Sequence, residues 1–339
     1  HCSFCAIPLI RGELRSRKAD DIVEEIENLV AKGIKEINLI GQDLAAYGTG
    51  FSDNVFGTGR ISLPIVSEMG SSFETDEKSG LALLLEKISK IEGDFIVRLL
   101  YIHPDHFNKD ILPIMKSDNR FLPYFDIPFQ SGDDKIIKAM NRIGSAQNYI
   151  SLVEEIKSVF PEAVLRTTFL TGFPGEDDFA ANNTKEFLMN IQSAWSGCFP
   201  YSREEDTPAY DMKKRVSPKV AQKRADTLCE IQSEITKSFL KSHIGKEYDI
   251  LIEEIIEGED GLAIGRAWFQ APDVDGSVVV RYEKDIPEQN DAVQCGRFVR
   301  VKIETASDVD LNGLFICDSE KNSSSYDSEL KFAPEIQNK

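Results

Sequence analysis

The sequence is poor in several features that would place it in familiar protein classes. No run of about 18 uncharged apolar residues occurs in it, so we expect no membrane span. Six cysteines among 339 residues are too sparse for a disulfide scaffold, which favours a reducing, cytoplasmic environment. Only four histidines are present, and there is a single C-x-x-C pair, so a closed zinc site has weak support.

Positive charge is also scarce. Lysine and arginine number 39 against 57 aspartates and glutamates, which gives a formal net charge of −18. Nucleic-acid-binding proteins usually carry a basic face, because neutralised phosphates release counterions and this release drives binding. The balance therefore favours a basic partner or a small-molecule substrate, although a local basic groove would be compatible with it.

Helix-like and strand-like segments alternate from Lys18 to about Gly245. Ala19–Gly33 has apolar residues at helical spacing and acids in its first turn, and Lys35–Gly41 is typical of a buried strand. The further predicted strands are Phe95–Ile102, Tyr124–Gln130, Ala163–Gly172 and Ser196–Tyr201, and the further helices are Asp133–Arg142, Ala146–Phe160, Asp177–Gln192 and Ser217–Gly245. Single helices between strands indicate a parallel sheet, and about six strands are too few for an eight-stranded barrel. We therefore predict an α/β fold, a partial (βα)6 barrel with its reactive face at the carboxyl ends of the strands.

The composition changes after Gly245, where short strand-like segments follow one another with no helix predicted between them. These segments are Glu247–Ile256, Leu262–Phe269, Ser277–Tyr282, Arg297–Thr305 and Leu314–Cys317. They predict a small all-β, OB-like barrel. The expected organisation is a core over residues 1–240 with a mobile surface insertion at 49–80, a barrel over 243–316 and a polar, disordered tail over 318–339.

A pair of thiols at the start, Cys2 and Cys5, is the most informative local feature. Such a pair could hold a metal, cycle as a disulfide, or supply the last two ligands of a C-x-x-x-C-x-x-C iron–sulfur loop. The last interpretation places the first cysteine upstream of His1, so that the chain would be a fragment. A redox dithiol normally opens a helix, whereas Ile7–Gly12 is predicted to lead into a loop, and zinc would need two more ligands. The residues alone leave zinc or incidental thiols at least as well supported as a cluster.

Polar residues near the ends of predicted strands are the other candidates for a site. Gln42 and Asp43 follow one strand, and Gln130 and Ser131 end another. A buried glutamine needs a hydrogen-bond partner, and Arg166 inside an apolar strand needs an anion, so a bound cofactor would satisfy both. The remaining cysteines are expected to be ordinary thiols; they are Cys198, Cys229, Cys295 and Cys317. His103 and His106 are expected to be surface or loop histidines.

The opening segment, HCSFCAIPLIRGELRSR, resembles the cluster loop of radical S-adenosylmethionine (SAM) enzymes of the methylthiotransferase family. Several further segments are similar to motifs of that family and follow in the same order. They are Ile40–Asp43 with Ala46–Gly48, Asp126–Gly132, Lys138–Arg142, Arg166–Phe169, Gly172–Glu176 and Phe199–Ser202. The C-terminal barrel resembles the TRAM domain that closes these proteins, so the resemblance extends from His1 to about Phe315.

The resemblance implies the cofactors. Cys2 and Cys5 would bind a [4Fe–4S] cluster together with an upstream cysteine, which leaves one iron for the amino and carboxylate groups of SAM. The residues implied to contact SAM are Gln42, Asp43, Gln130, Ser131 and Arg166, the last of them facing the SAM carboxylate. A second [4Fe–4S] cluster would lie in an N-terminal domain absent from this sequence. No catalytic residue or electron donor is assigned, and the 339-residue chain is expected to be inactive by itself.

Two features favour the branch of the family, the RimO type, that modifies an aspartate of ribosomal protein twelve of the small subunit. Ile264–Val280 reads IGRAWFQAPDVDGSVVV and resembles a stretch of that branch, and His243–Phe315 contains 16 acidic against 7 basic residues, a balance of −9. Such a barrel would repel RNA and attract a basic ribosomal protein. In contrast, Gln130–Gly132 and Lys138–Arg142 resemble the branch that modifies adenosine in transfer RNA, which is the alternative. An alternative of another class is an inert core whose barrel only recruits a ribosomal protein.

Overall fold

The computed structural model describes residues 2–50, 54–57, 78–258 and 261–319. Helices and strands alternate through the first two thirds of the chain, as the sequence predicts. The strands are β1 (Glu36–Ile40), β2 (Ile96–Leu100), β3 (Phe121–Asp126), β4 (Val164–Thr171) and β5 (Trp195–Pro200). The helices are α1 (Ile7–Arg11), α2 (Ala19–Ala31), α3 (Gly80–Ile88), α4 (Ile111–Ser117), α5 (Asp134–Ala139), α6 (Ala146–Val159), α7 (Asp178–Ile191) and α8 (Pro218–Lys241).

The strands form one parallel sheet in the order β1-β2-β3-β4-β5, so every neighbour in the sheet is also the neighbour in the chain. The predicted α/β class is confirmed, with five strands in the described residues where about six were expected. β3 ends at Asp126 and does not run on to Gln130. The reason is that Gln130 has a φ of 72°, outside the extended region, and pairs with Phe169 only through an isolated bridge.

Several short helices escape prediction. The segment Ile7–Gly12, expected to be a loop, begins with the five-residue helix α1, which has proline in its first turn and no buried residue. The helices α3 and α4, of nine and seven residues, were not predicted either. Segments this short contain too few turns for apolar periodicity to identify them.

The starts of α5, α6, α7 and α8 agree closely with the sequence prediction because each carries a side-chain cap. A serine or aspartate accepts a hydrogen bond from a backbone N–H of the first turn, and this satisfies a donor that the helix itself leaves unpaired. The capping residues are Ser79, Asp133, Ser145, Asp177 and Ser217, at the starts of α3, α5, α6, α7 and α8.

The two faces of the sheet are covered by different partners. One face, which includes Val97, Phe125 and Phe169, packs against the helices in the larger apolar core. The opposite face carries the alternate residues, and its apolar members, such as Leu122 and Val164, pack in a second core with residues of the C-terminal barrel. Because side chains alternate along a strand, a single sheet can bury both faces in this way.

The C-terminal strands close into a barrel in the order β10-β8-β7-β6-β9, which confirms the predicted all-β barrel. They are β6 (Glu247–Ile255), β7 (Leu262–Arg266), β8 (Val278–Arg281), β9 (Phe298–Ala306) and β10 (Leu311–Asp318). One short helix, α9 (Pro287–Ala292), lies between β8 and β9, where none was predicted. Most of the predicted insertion at 49–80 and of the tail at 318–339 lies outside the described residues, although Thr49, Gly50, Ser79 and Gly80 are buried. No helix in the described part of the chain is long and apolar enough to cross a membrane.

The segment between β7 and β8, residues 267–277, joins the barrel to the sheet. Its residues 267–271 are buried, and the carbonyl oxygen of Trp268 accepts a hydrogen bond from Nη1 of Arg98 at 2.8 Å. Arg98, in the middle of β2, is fully buried and also pairs with Glu36 of β1 at 2.9 Å. Arg266, at the end of β7, pairs with the other oxygen of Glu36 at 2.6 Å. One carboxylate of the sheet therefore pairs with two buried guanidinium groups, one from each half of the chain.

Candidate active site

The loop that carries Cys2 and Cys5 is fixed at the carboxyl ends of the strands. Ser3 donates from its backbone N–H to the carbonyl oxygen of Met140 at 2.9 Å, and from its hydroxyl to that of Ala139 at 2.8 Å. These two carbonyls end α5 and have no partner within that helix, so the loop completes their hydrogen bonding. Lys138–Arg142, noted in the sequence as a family motif, therefore supports the thiol loop. Both thiols are free and partly exposed.

Two histidines lie beside this loop, although the sequence suggested ordinary surface or loop histidines. Nε2 of His103, just after β2, is 3.5 Å from Sγ of Cys2. The ring of His106 stacks on that of His103 with centroids 4.6 Å apart. Burial, the main cause, and the nearby charge of Arg142 lower the pKa of His103 to about 3, so its ring is neutral at pH 7. No spacing rule links these histidines to Cys2, because the contact arises only when the strand ends converge.

Asp43 belongs to the same group of side chains. Its Oδ1 accepts a hydrogen bond from the backbone N–H of His103 at 3.3 Å, and its Oδ2 contacts Nδ1 of His106. The structure thus brings Asp43 and Cys2 together through His103. Gln42, the preceding residue, is exposed. Its predicted contact with SAM stays a prediction, as does that of Asp43.

Gln130 and Ser131, after β3, differ in how fully their side chains are satisfied. The backbone of Gln130 is held by β4, with its N–H donating to Thr168 and its carbonyl accepting from Leu170 at 2.8 and 2.9 Å. Its Oε1 is buried and finds no hydrogen-bond partner among the described residues. In contrast, the hydroxyl of Ser131 is 3.2 Å from that of Thr184 and accepts from the backbone N–H of Asp133. A buried acceptor without a partner indicates a site for a ligand donor, so Gln130 fits the predicted SAM contact better than Ser131 does.

Arg166 has two carboxylate partners within the protein. Its Nη1 donates to Oδ1 of Asp126 at 3.2 Å, and its Nε is 3.6 Å from Oδ1 of Asp275. Asp275 belongs to the segment 267–277, and its Oδ2 accepts from the hydroxyl of Tyr124 at 2.6 Å. The anion that the sequence required for Arg166 is therefore present without a ligand. A contact between Arg166 and the SAM carboxylate stays a prediction.

The ionisation of Asp275 should make the stability of the protein depend on pH. Burial raises the pKa of its carboxyl to about 6, against hydrogen bonds from the backbone of Ala271 and from Tyr124 and the charge of Arg166. In an unfolded chain the pKa of the same carboxyl is about 4. The folded state therefore binds this proton more tightly than the unfolded state does. The stability that the protonated carboxyl contributes is present below about pH 4 and is lost as the pH rises through about 6.

The quantity to compare is the free energy of unfolding of the parent protein minus that of the Asp275→Asn variant. We expect this difference to fall by up to about 3 kcal/mol between about pH 4 and pH 7. Asparagine does not titrate, whereas Arg166, Tyr124 and Arg98 are present in both proteins and cancel in the difference. Urea denaturation at several pH values measures this quantity. A difference that stays constant over the range would contradict the prediction.

The described residues fit one [4Fe–4S] cluster and SAM, two of the cofactors that the resemblance implies. One anchored loop presents two free thiols, and the buried Oε1 of Gln130 lies at the same edge of the sheet with unused acceptor capacity. Within the described ranges no group of three or more histidine, cysteine, aspartate or glutamate side chains could hold a metal by itself. The donor set in the described residues is thus two thiols from one loop, which supplies two of the three cysteine ligands of a radical SAM type cluster and half of the four ligands of a closed zinc site.

Comparison with known proteins agrees with this arrangement. The model of the radical SAM superfamily matches residues 1–188, and that of the TRAM domain matches residues 244–316. Over 327 residues the chain is 50% identical to the ribosomal protein uS12 methylthiotransferase RimO of Treponema denticola, covering 93% of this chain and 67% of that protein. The chain belongs to the RimO family of radical SAM proteins.

Two further RimO proteins are similar over nearly the same length of this chain. The RimO of Thermotoga petrophila is 35% identical over 316 residues, covering 93% of this chain and 65% of that protein. The RimO of Carboxydothermus hydrogenoformans is 35% identical over 317 residues, covering 94% and 65%. The chain thus spans about two thirds of the length of the curated relatives it matches. The family predicted from the spaced motifs is confirmed.

Proposed function

We propose that this protein, at its full length, is a radical SAM methylthiotransferase that modifies an aspartate of the small-subunit ribosomal protein uS12. The observation that carries the proposal is the anchored loop with Cys2 and Cys5 at the carboxyl edge of a parallel sheet, in a chain 50% identical to a protein named for this activity. The sulfur donor and the electron donor are left open.

The protein residues have separate roles in this proposal. Cys2 and Cys5 bind two irons of a [4Fe–4S] cluster, and Ser3 keeps their loop against the end of α5. Gln130 accepts a hydrogen bond from a donor group of SAM through its unpaired Oε1. When bound, the cluster supplies the electron that cleaves the sulfonium of SAM. Asp43 keeps His103 and His106 in place, so the protein beside the thiol loop is held by hydrogen bonds and ring packing.

Further parts of the proposal concern residues beyond this sequence. The third thiolate of the cluster comes from upstream of His1, and a second [4Fe–4S] cluster that delivers sulfur lies in an N-terminal domain. The 339 residues considered alone are then inactive, because they supply two of the three thiolates and lack the sulfur-delivering domain.

The charge of the barrel supports a basic protein substrate. The stretch from β8 through α9 exposes four acidic residues, Glu283, Asp285, Glu288 and Asp291, and two basic residues, Arg281 and Lys284. An acidic surface draws a basic ribosomal protein towards it and raises the rate of encounter, whereas it repels the phosphates of RNA. We propose that this surface takes part in binding uS12.

A competition assay tests the substrate. The enzyme expressed from the complete gene is reduced anaerobically with SAM, offered both uS12 and transfer RNA, and the products are analysed by mass spectrometry. We expect the methylthio group on an aspartate of uS12 only, and no product with Cys2→Ser, because serine is a poor iron ligand in place of a thiolate. Modification of an adenosine in transfer RNA would overturn the proposed substrate, and product from Cys2→Ser would overturn the proposed cluster site.

A further inference from the structure

The other hydrogen bond of His103 determines which group is the donor in its contact with Cys2. Nδ1 of His103 accepts a hydrogen bond from the backbone N–H of Asp105 at 3.2 Å. A neutral imidazole has one N–H and one acceptor nitrogen, so an accepting Nδ1 places the proton on Nε2. Nε2 is the atom 3.5 Å from Sγ of Cys2. His103 is therefore a hydrogen-bond donor to that sulfur.

The surrounding contacts hold this ring in position. His106 stacks on it at a centroid distance of 4.6 Å and is in turn held by Asp43, which also accepts from the backbone of His103. The next two residues, Pro104 and Asp105, are buried, and Asp105 accepts hydrogen bonds from the backbone N–H groups of residues 143 and 144. The donor is thus fixed by the fold at the end of β2 and does not depend on a mobile side chain.

We infer that His103 is a positioning residue which donates an N–H···S hydrogen bond to the Cys2 thiolate and thereby raises the reduction potential of the cluster bound there. The physical reason is that reduction adds negative charge to the cluster and its sulfurs, and a hydrogen-bond donor stabilises the more negative state more strongly. The electron comes from an external one-electron reductant, and the Nε2 proton stays on the imidazole. This inference rests on the proposed cluster site.

The test is a redox titration of the enzyme expressed from the complete gene, followed by the electron paramagnetic resonance signal of the reduced cluster. His103→Phe keeps an aromatic ring for stacking and removes the N–H. We expect the reduction potential of this variant to shift by about 59 mV to more negative values. For a one-electron couple this shift lowers the ratio of reduced to oxidised cluster about tenfold at a given applied potential. His103→Gln, whose amide can donate, should recover part of the shift. His243→Phe is the matched control, because His243 is a buried histidine of the barrel whose ring stacks on Phe269 and contacts Tyr248, so the reduction potential of this variant should be unchanged.

The outcomes separate this inference from the proposed function. If the parent protein contains no reducible cluster that requires Cys2, the proposed function fails. If the parent and His103→Phe have the same iron content, spectrum and potential, the cluster stands and the inference about His103 is wrong. If both His103 variants lose their iron while the parent retains it, the inference is also wrong, since His103 would then hold the loop and not tune the potential.

Discussion

Replacing Arg166 with alanine is expected to lower the free energy of unfolding by about 3–5 kcal/mol near neutral pH. Its side chain is 16% exposed, and those of its partners Asp126 and Asp275 are 2% and 0% exposed. Removing the guanidinium leaves two buried carboxylates without their common counter-charge, and such uncompensated charges are costly. Since Asp275 belongs to the barrel segment 267–277, we expect the contact between sheet and barrel to weaken as well.

Urea denaturation of the 339-residue chain measures this effect, and a double-mutant cycle with Asp275→Asn isolates the pair. Arg281→Ala is the matched control, because its guanidinium is 56% exposed and pairs with Glu304 on the surface. A change within about 0.5 kcal/mol is expected there. Equal stability losses for Arg166→Ala and Arg281→Ala would contradict the structural role.

The same Arg166→Ala variant, in the enzyme expressed from the complete gene, also tests the predicted contact with the SAM carboxylate. If the arginine only joins the sheet to the barrel, SAM affinity in the folded variant stays the same. If it also binds the carboxylate, SAM affinity falls together with stability. Intact SAM affinity would therefore count against the role implied by the resemblance.

Replacing Glu36 with glutamine is the second change with a large expected effect. It should lower the free energy of unfolding by about 3–5 kcal/mol. The Glu36 carboxylate lies between Arg98 and Arg266, whose side chains are 0% and 7% exposed. Burial alone would raise the pKa of Glu36, but the two guanidinium groups outweigh it and hold the pKa below its usual value. Glutamine has a similar shape but no charge, so the variant removes the electrostatic contribution with little loss of packing.

A second glutamate provides the control for this experiment. Glu25 pairs with Arg17 on the surface, where both side chains are more than half exposed, so Glu25→Gln should change stability by less than about 0.5 kcal/mol. After Glu36→Gln, Arg266 keeps Glu253 at 2.7 Å. Arg98 retains the carbonyl of Trp268 and the ring of Tyr124, but no other carboxylate of the described residues pairs with it. If Glu36→Gln lowers the free energy of unfolding by less than about 1 kcal/mol, which is the range of exposed ion pairs, the buried network contributes little to stability.

Local sequence patterns predicted the parts of this protein that depend on local rules. Helices such as α6 and α8 combine apolar periodicity with a capping serine, and both were predicted to within a few residues at each end. Gly172, directly after β4, has a backbone conformation that glycine adopts far more readily than other residues. Its φ is 76°, and a Cβ there would lie 2.3 Å from that of Ala221.

Contacts between distant segments could not be predicted in this way. The sequence favoured a ligand anion for Arg166, but the fold supplies Asp126 from the neighbouring strand and Asp275 from the barrel. The segment Ile264–Val280, noted only for its family resemblance, contains the residues that dock the barrel on the sheet. Likewise His103 lies at a strand end whose position relative to Cys2 depends on strand order.

The order of the strands and of the longer capped helices, the thiol pair and the family motifs were determined by the sequence alone, because they depend on residues close together in the chain. Which charges are paired, which acceptor stays unsatisfied and which histidine reaches the sulfur were decided by the tertiary structure. Ion pairs and hydrogen bonds act over a few ångströms in space, and the parallel sheet brings together residues that are far apart along the chain.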